Sequence, residues 1–285
     1  MIEIMLPAFV ASLVLVAMHS YLGLHIIARQ VIFVDLALAQ MAALGATSAF
    51  IFGISPDSTA GYMLALAFTI VGAAILSLTR TADSRIPHEA IIGILFVVAT
   101  AAAILVADRA PRGSEHIQQL LAGSLLWVRW PTIGRIALAY AVIGLIQYAL
   151  RDRFMTISFE PESAFARGWR LKWWDFLFYV TFGMVITLSV PVAGVLIVFT
   201  FLVVPTVVAF MFTQNKLHLA LISWGVSAVA VAAGLVLSYT YDFPTGPVIV
   251  VTFAGVLLLA AALKRLLMPT AEKVSPGARG RVAGN

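Results

Sequence analysis

Nine long apolar runs constrain the fold of this chain more than any other feature. They cover residues 4–28, 31–53, 60–79, 89–107, 132–150, 175–190, 192–213, 217–240 and 247–267. A bilayer core is about 30 Å thick and takes about 20 apolar residues per helix. The sixth run is short, and tilt or local thinning of the bilayer would absorb the difference. Unbroken runs of this kind exclude a membrane β-barrel, whose strands alternate over about 10 residues. Of the 285 residues, 62% are hydrophobic and 11% are charged, against about 25% charged in a soluble domain. That excess rules out a soluble enzyme and a disordered chain. The expected fold is an all-α polytopic membrane protein. A tenth apolar piece, residues 117–128, is too short to span and suits a re-entrant or interfacial helix. The first run lacks a basic leader and a small-residue cleavage site, so it reads as a retained helix.

The basic residues set the expected orientation. With the N-terminus outside and the spans alternating, the inside segments hold Arg29, Arg80, Arg85, Arg151, Arg153, Arg167, Arg170, Lys172, Lys216, Lys264, Arg265, Lys273, Arg279 and Arg281. Those are 14 of the 18 basic residues, and an excess of Lys and Arg marks the cytoplasmic side. Only Arg109, Arg112, Arg129 and Arg135 remain outside. The net charge of +5 therefore reports cytoplasmic loops and anionic lipid rather than nucleic acid. One transmembrane domain is expected over residues 1–268, and the Gly-, Pro- and Arg-rich tail 269–285 reads as cytoplasmic and disordered. Arg29-Gln30 is expected as a tight turn, Pro191 with Gly194 as another, and Tyr241–Pro247 as a third.

There is no cysteine, hence no disulfide or thiolate chemistry. The sequence has no phosphate-binding loop, no HExxH pair and no GxSxG elbow, so no catalytic set is visible. Polar groups inside spans are then the informative residues, because a buried ionisable group in lipid is costly unless paired.

Several segments carry a resemblance, in order along the chain. They are Leu22-Gly23 with Arg29, Phe33, Ala37-Leu38 and Gly45; Glu89–Gly93; His116-Ile117 with Leu121–Ser124; and Ser158–Glu162. Gly194–Leu196 with Leu202–Pro205, and Ser238-Tyr239 with Asp242–Pro247, complete the series. Together they resemble the permeases of ABC-type zinc, manganese and iron importers, with a type II importer fold. The resemblance implies a homodimer of this chain in a prokaryotic plasma membrane. A cytosolic ATPase dimer would use the ATP, and an extracytoplasmic binding protein would deliver a divalent metal or metal complex. No cofactor would be bound by the chain itself, and no catalysis would occur on it. The segment 158–168 resembles the coupling helix that docks on the ATPase, with Glu160, Pro161, Glu162, Ala164 and Arg167 as its residues. Early acids and a late base suit the helix dipole.

One departure bears on the cargo. The family's second span carries an Asp and a His four residues apart, and these positions here are Leu36 and Gln40. Leucine cannot bind a metal, and Asp35 falls one place early. If spans one and two form a packed antiparallel hairpin, His19 and Gln40 lie at equal depth, about 16 Å above the turn at about 1.5 Å per residue. His25 and Asp35 share a lower depth. His19 with Gln40 is either a cargo-facing pair or a structural polar tie. His25 with Asp35 reads as a buried charge-assisted bond, with a place on the metal path as the alternative. Glu89 is expected as a helix N-terminal charge, with gating as the alternative; Asp242 as a cap of span nine or a shaper of the outside loop, with docking of the binding protein as the alternative; Pro205 as a functional kink or a tolerated residue; and Trp127, Trp130, Trp173 and Trp174 as interface anchors. A secondary transporter working alone is the competing function, but no internal repeat supports it.

Overall fold

Residues 2–56, 58–80, 86–109, 120, 123 and 125–267 are described in the computed structural model of the chain. Among them eleven α-helices follow one another: α1 (Ile2–Ala28), α2 (Val34–Ser48), α3 (Thr59–Leu78), α4 (His88–Asp108), α5 (Trp130–Ala149), α6 (Arg151–Phe159), α7 (Pro161–Ala166), α8 (Leu171–Ala193), α9 (Val195–Phe212), α10 (Lys216–Tyr241) and α11 (Thr245–Leu267). Short 3-10 turns cover Ala49–Phe52 and Leu125–Trp127. Nine of these segments are long and apolar enough to cross a membrane, as the apolar runs predict. The expected short helix at 117–128 falls largely outside the described residues, as does the tail 269–285.

Two differences from the sequence expectations stand out. The sixth span is not short: α8 extends back over Trp173 and Trp174 and runs 23 residues. Tryptophan and lysine are tolerated where a helix meets the membrane interface, so no thinning is needed. Pro191 does not make the turn either. It lies inside the last turn of α8, and the chain breaks at Gly194, at φ 80°. A proline near a helix C-terminus removes a single ladder bond and need not end the helix.

The helices pack as two groups. In one, α2 lies against α3, α4 and α8, and α3 lies against α8; in the other, α1 packs on α9 and α10, and α9 and α10 pack on α11. In lipid the packing force between helices comes from close contact and polar ties rather than water exclusion. At Gly23 of α1 an added Cβ would sit 2.2 Å from the Leu202 carbonyl oxygen of α9, so that crossing requires glycine. Thr69 of α3 and Thr187 of α8 meet at 3.0 Å, and Gln147 of α5 donates to Thr181 at 2.8 Å. Pro205 is accommodated within α9, and Ser223 of α10 donates to its carbonyl at 3.3 Å.

The turn between α1 and α2 is as tight as expected, with Gln30 at φ 56°. The two helices nevertheless do not pack along their lengths, because each belongs to a different group. The packed hairpin assumed in matching depths is therefore not formed.

Candidate functional site

The polar residues of α1 and α2 reach across the molecule rather than toward each other. His19 is fully buried. Its Nδ1 faces the Leu15 carbonyl at 2.7 Å, and a carbonyl can only accept, so Nδ1 carries the proton. Its Nε2 then faces Ser189 Oγ of α8 at 3.3 Å, and Tyr140 of α5 closes on the same serine. His19 thus ties α1 to α8 and α5, not to Gln40. Gln40 is 8% exposed and makes no hydrogen bond with His19.

His25 and Asp35 are not paired. The Nδ1 of His25 lies 2.9 Å from Ser158 Oγ in α6, and its Nε2 is buried without a partner. Asp35 is 1% exposed. Its Oδ1 accepts from the Leu36 N–H at 2.7 Å, and Oδ2 has no partner. The carboxylate sits in the first turn of α2, where orphan N–H groups attract it. Glu89 acts at the same helix end: its Oε1 accepts from the Phe33 N–H at 2.9 Å. It therefore links α4 to the start of α2, in addition to opening its own helix.

The densest polar cluster lies at the turn end of α1, and its aspartate, Asp175, was not singled out by its sequence context. Arg29 Nε donates to Ser158 Oγ at 2.7 Å, and Arg29 Nη1 donates to Asp175 Oδ1 at 2.8 Å. Arg80 takes the other oxygen of Asp175. The Arg29 guanidinium lies 4.0 Å from the centre of the Phe178 ring. Its side chain is 4% exposed and Asp175 is fully buried. Burial works against the Arg29 charge, and the Asp175 carboxylate counters it. One serine, two arginines and one aspartate thus join α1, α3, α6 and α8 in one place. Asp175 stands at the edge of an apolar run, and only its position next to two tryptophans marks it as more than a loop charge.

The segment expected to couple begins in this cluster. Residues 158–168 are not a single helix: α6 ends at Phe159, the backbone turns at Glu160 (φ −139°, ψ 56°), and α7 starts at Pro161. Proline suits that first helical position and disfavours helix in the residue before it. Glu162 is in the first turn of α7 and Arg167 closes it. Gly168, at φ 67°, supplies the left-handed residue of the stop, after which the Trp169 N–H returns to the Ala164 carbonyl. Ala164 is fully buried and Phe165 is 75% exposed. Glu160 pairs with Lys216 of α10 at 3.6 Å.

At the other end, a cavity of about 440 Å³ opens between α2, α3, α5 and α8, lined among others by Ala43, Tyr62, Arg135 and Pro191. There Asp242 closes α10, the eighth span, in a left-handed cap rather than opening the ninth as expected, and Ser238 bonds across it to the Phe243 carbonyl and Thr245. No group of three or more His, Asp or Glu side chains stands in metal-holding geometry among the described residues.

Comparison with known proteins agrees with this architecture. The model described as the ABC 3 transport family matches residues 1–264. The chain is 24% identical over 257 residues to the manganese import system permease protein ScaB of Streptococcus pneumoniae, covering 89% of this chain and 88% of that protein. It is 21% identical over 262 residues to the high-affinity zinc uptake system membrane protein ZnuB of Haemophilus influenzae, covering 91% and 97%. Among solved structures, the fold matches PsaBC from Streptococcus pneumoniae in complex with Fab at a TM-score of 0.75, with 21% identity and 90% of each chain covered. It also matches an inward-facing putative metal-chelate type ABC transporter at 0.68, with 18% identity, over 90% of this chain and 85% of that one.

Proposed function

The chain belongs to the ABC 3 transport family, and from that premise we propose that it is the membrane-spanning subunit of an ATP-driven importer. Its cargo is a divalent metal ion (zinc, manganese or iron) or a complex of one. The observation that carries this reading is the family match across nearly the whole chain, on a fold in which nine apolar helices among the described residues leave α6 and α7 outside the spans. ATP is hydrolysed on a separate ATPase dimer, the cargo arrives on an extracytoplasmic binding protein, and the permease works as a homodimer in a prokaryotic plasma membrane. The N-terminus is outside and the C-terminus cytoplasmic. Residues 1–268 form the permease, followed by a cytoplasmic tail.

In this reading α7 docks on the ATPase. It offers an exposed apolar side chain, Phe165, on a segment whose neighbours Glu160, Glu162 and Arg167 are charged, which fits a groove better than open water does. Pro161 sets the angle of the helix and Ala164 seats it. Within the membrane, His19, His25, Asp35 and Gln40 remain the cargo-path candidates. The free atoms favour Gln40 and Asp35 through Oδ2, while His25 meets cargo only through Nδ1, once Ser158 Oγ has left it. His19 serves mainly as a tie to Ser189.

The test is reconstitution in liposomes with the cognate ATPase and binding protein, followed by uptake of labelled zinc, manganese or iron. ATP-dependent uptake is expected from the complete system only. Uptake by the permease alone, driven by an ion gradient, would replace this reading with that of a secondary transporter.

A further inference from the structure

We propose that Ser158 is the positioning residue through which motion of α7 reaches the membrane domain, and that it does so by holding Arg29 and His25 together. The inference rests on the reading of α7 as the docking helix. Ser158 is one residue from the end of α6, two residues before the backbone break that starts α7. It is 3% exposed, and its hydroxyl touches the side chains of His25 in α1 and of Arg29 immediately after it. Arg29 can only donate, so Ser158 Oγ accepts from Arg29 Nε at 2.7 Å. The hydroxyl proton must then go elsewhere. Many helical Ser and Thr side chains of this protein, such as Ser12, Thr47 and Thr206, return theirs to the carbonyl one turn back. Ser158 makes no such bond among the described contacts, and His25 Nδ1 at 2.9 Å is its remaining acceptor. This assigns the ring proton to Nε2, the buried nitrogen that has no partner.

The consequence is mechanical. Arg29 is fixed on its other side by Asp175, which also holds Arg80. A displacement of α7 that moves Ser158 acts on α1 through Arg29 and His25 at once. Through Asp175 it acts on α8, and through Arg80 on the end of α3. The cluster is buried and close-packed, with Arg29 against Phe178 and His25 ringed by Tyr21, Phe159 and Phe178. Packed interiors of this kind switch between arrangements rather than deform gradually. Losing Ser158 Oγ also frees the His25 Nδ1 lone pair, so the position of α7 controls whether this histidine can meet another group.

The experiment uses the complete complex in liposomes, measuring ATP hydrolysis and metal uptake together. Ser158→Ala is expected to assemble and hydrolyse ATP while uptake per ATP falls about tenfold, within the usual span of coupling effects. Ser158→Thr, which keeps the hydroxyl, is expected to restore the ratio. An unchanged ratio in Ser158→Ala would overturn the inference, as would a Thr variant no better than Ala. Should Ser158→Ala fail to assemble, Ser158→Cys provides a second measurement, because the chain has no other cysteine. Its reaction with a small maleimide is expected to change about fivefold or more between nucleotide-free and vanadate-trapped complexes. Equal reactivity in both states would mean that Ser158 does not move, and the relay would be wrong. Failure of the wild-type complex to take up metal would instead strike at the importer reading, so the two outcomes are distinguishable.

Discussion

Asp175 has the most to lose from a single change. It is fully buried and is the carboxylate that Arg29 and Arg80 both meet. Removing one partner of a buried ion pair leaves an uncompensated charge, which costs about 3–5 kcal/mol. Asp175→Asn should therefore lower stability by about 3 kcal/mol or more, read as thermal unfolding in detergent against wild type. A loss within the range of ordinary surface substitutions would show that the cluster is not closed. The residues of α1 and α2 predict a contrast. His19→Ala removes the tie to Ser189 and should cost about 1–3 kcal/mol, whereas Gln40→Ala should leave stability nearly unchanged and lower uptake. Leu36→Asp with Gln40→His should then shift metal preference toward zinc or manganese, measured by competition between labelled ions. If Gln40→Ala transports normally, that position does not meet cargo. The candidates themselves were legible as rare polar residues in apolar runs. Their partners were not, because Ser158, Asp175 and Ser189 lie 133, 146 and 170 residues along the chain from His25, Arg29 and His19. Depth matching pairs neighbours in sequence, and here tertiary packing sends each helix to a different group.

Among the elements, α7 is the smallest and the most exposed to test. Proline at Ala164 would remove the N–H that donates to the Glu160 carbonyl at 3.3 Å and would place a ring in a fully buried position. In a helix interior that costs about 3 kcal/mol. Ala164→Pro should abolish ATP-coupled uptake or assembly while the nine-helix core still folds, checked by size-exclusion behaviour and circular dichroism. Phe165→Ala is the milder probe. The side chain is 75% exposed, so its loss should weaken association with the ATPase and leave the thermal stability of the isolated permease unchanged. Equal ATPase binding would remove Phe165 from the interface. The presence of this element was readable from the resemblance of 158–168 to a coupling helix, with which the acids at 160 and 162 and the arginine at 167 agree. Its true start was not, because the break depends on Glu160 being forced out of helical geometry ahead of Pro161, and the Ser158 that precedes it belongs to α6. The extra turn of α8 was missed for a related reason. Hydropathy alone ends a span at Trp174-Asp175, while the buried partners of Asp175 let the helix continue through it.

At the scale of the whole molecule, the charges and the packing point the same way. Arg29, Arg80, Arg151, Arg153, Arg167 and Lys216 all lie at the end of the bundle that carries α6 and α7. The opposite end keeps Arg135 near the cavity and exposes Trp127 and Trp130, side chains that favour a membrane interface. The nine spans were legible from the apolar runs, because these follow from the thickness of the bilayer itself. Which helix faces lie inside was not, since lipid and neighbouring helices are equally apolar: α4 and α11 are only 22% and 17% buried over their apolar windows, against 67% for α8. The orientation has a direct test. With no native cysteine, a single introduced thiol reports its own side of the membrane. Ser55, exposed in the connection after α2, belongs to the end assigned outside, and Glu162, exposed on α7, to the end assigned inside. In intact cells a membrane-impermeant maleimide should label Ser55→Cys at once and Glu162→Cys only after permeabilisation. The reverse pattern would invert the molecule, placing α7 outside, where no cytosolic ATPase could reach it.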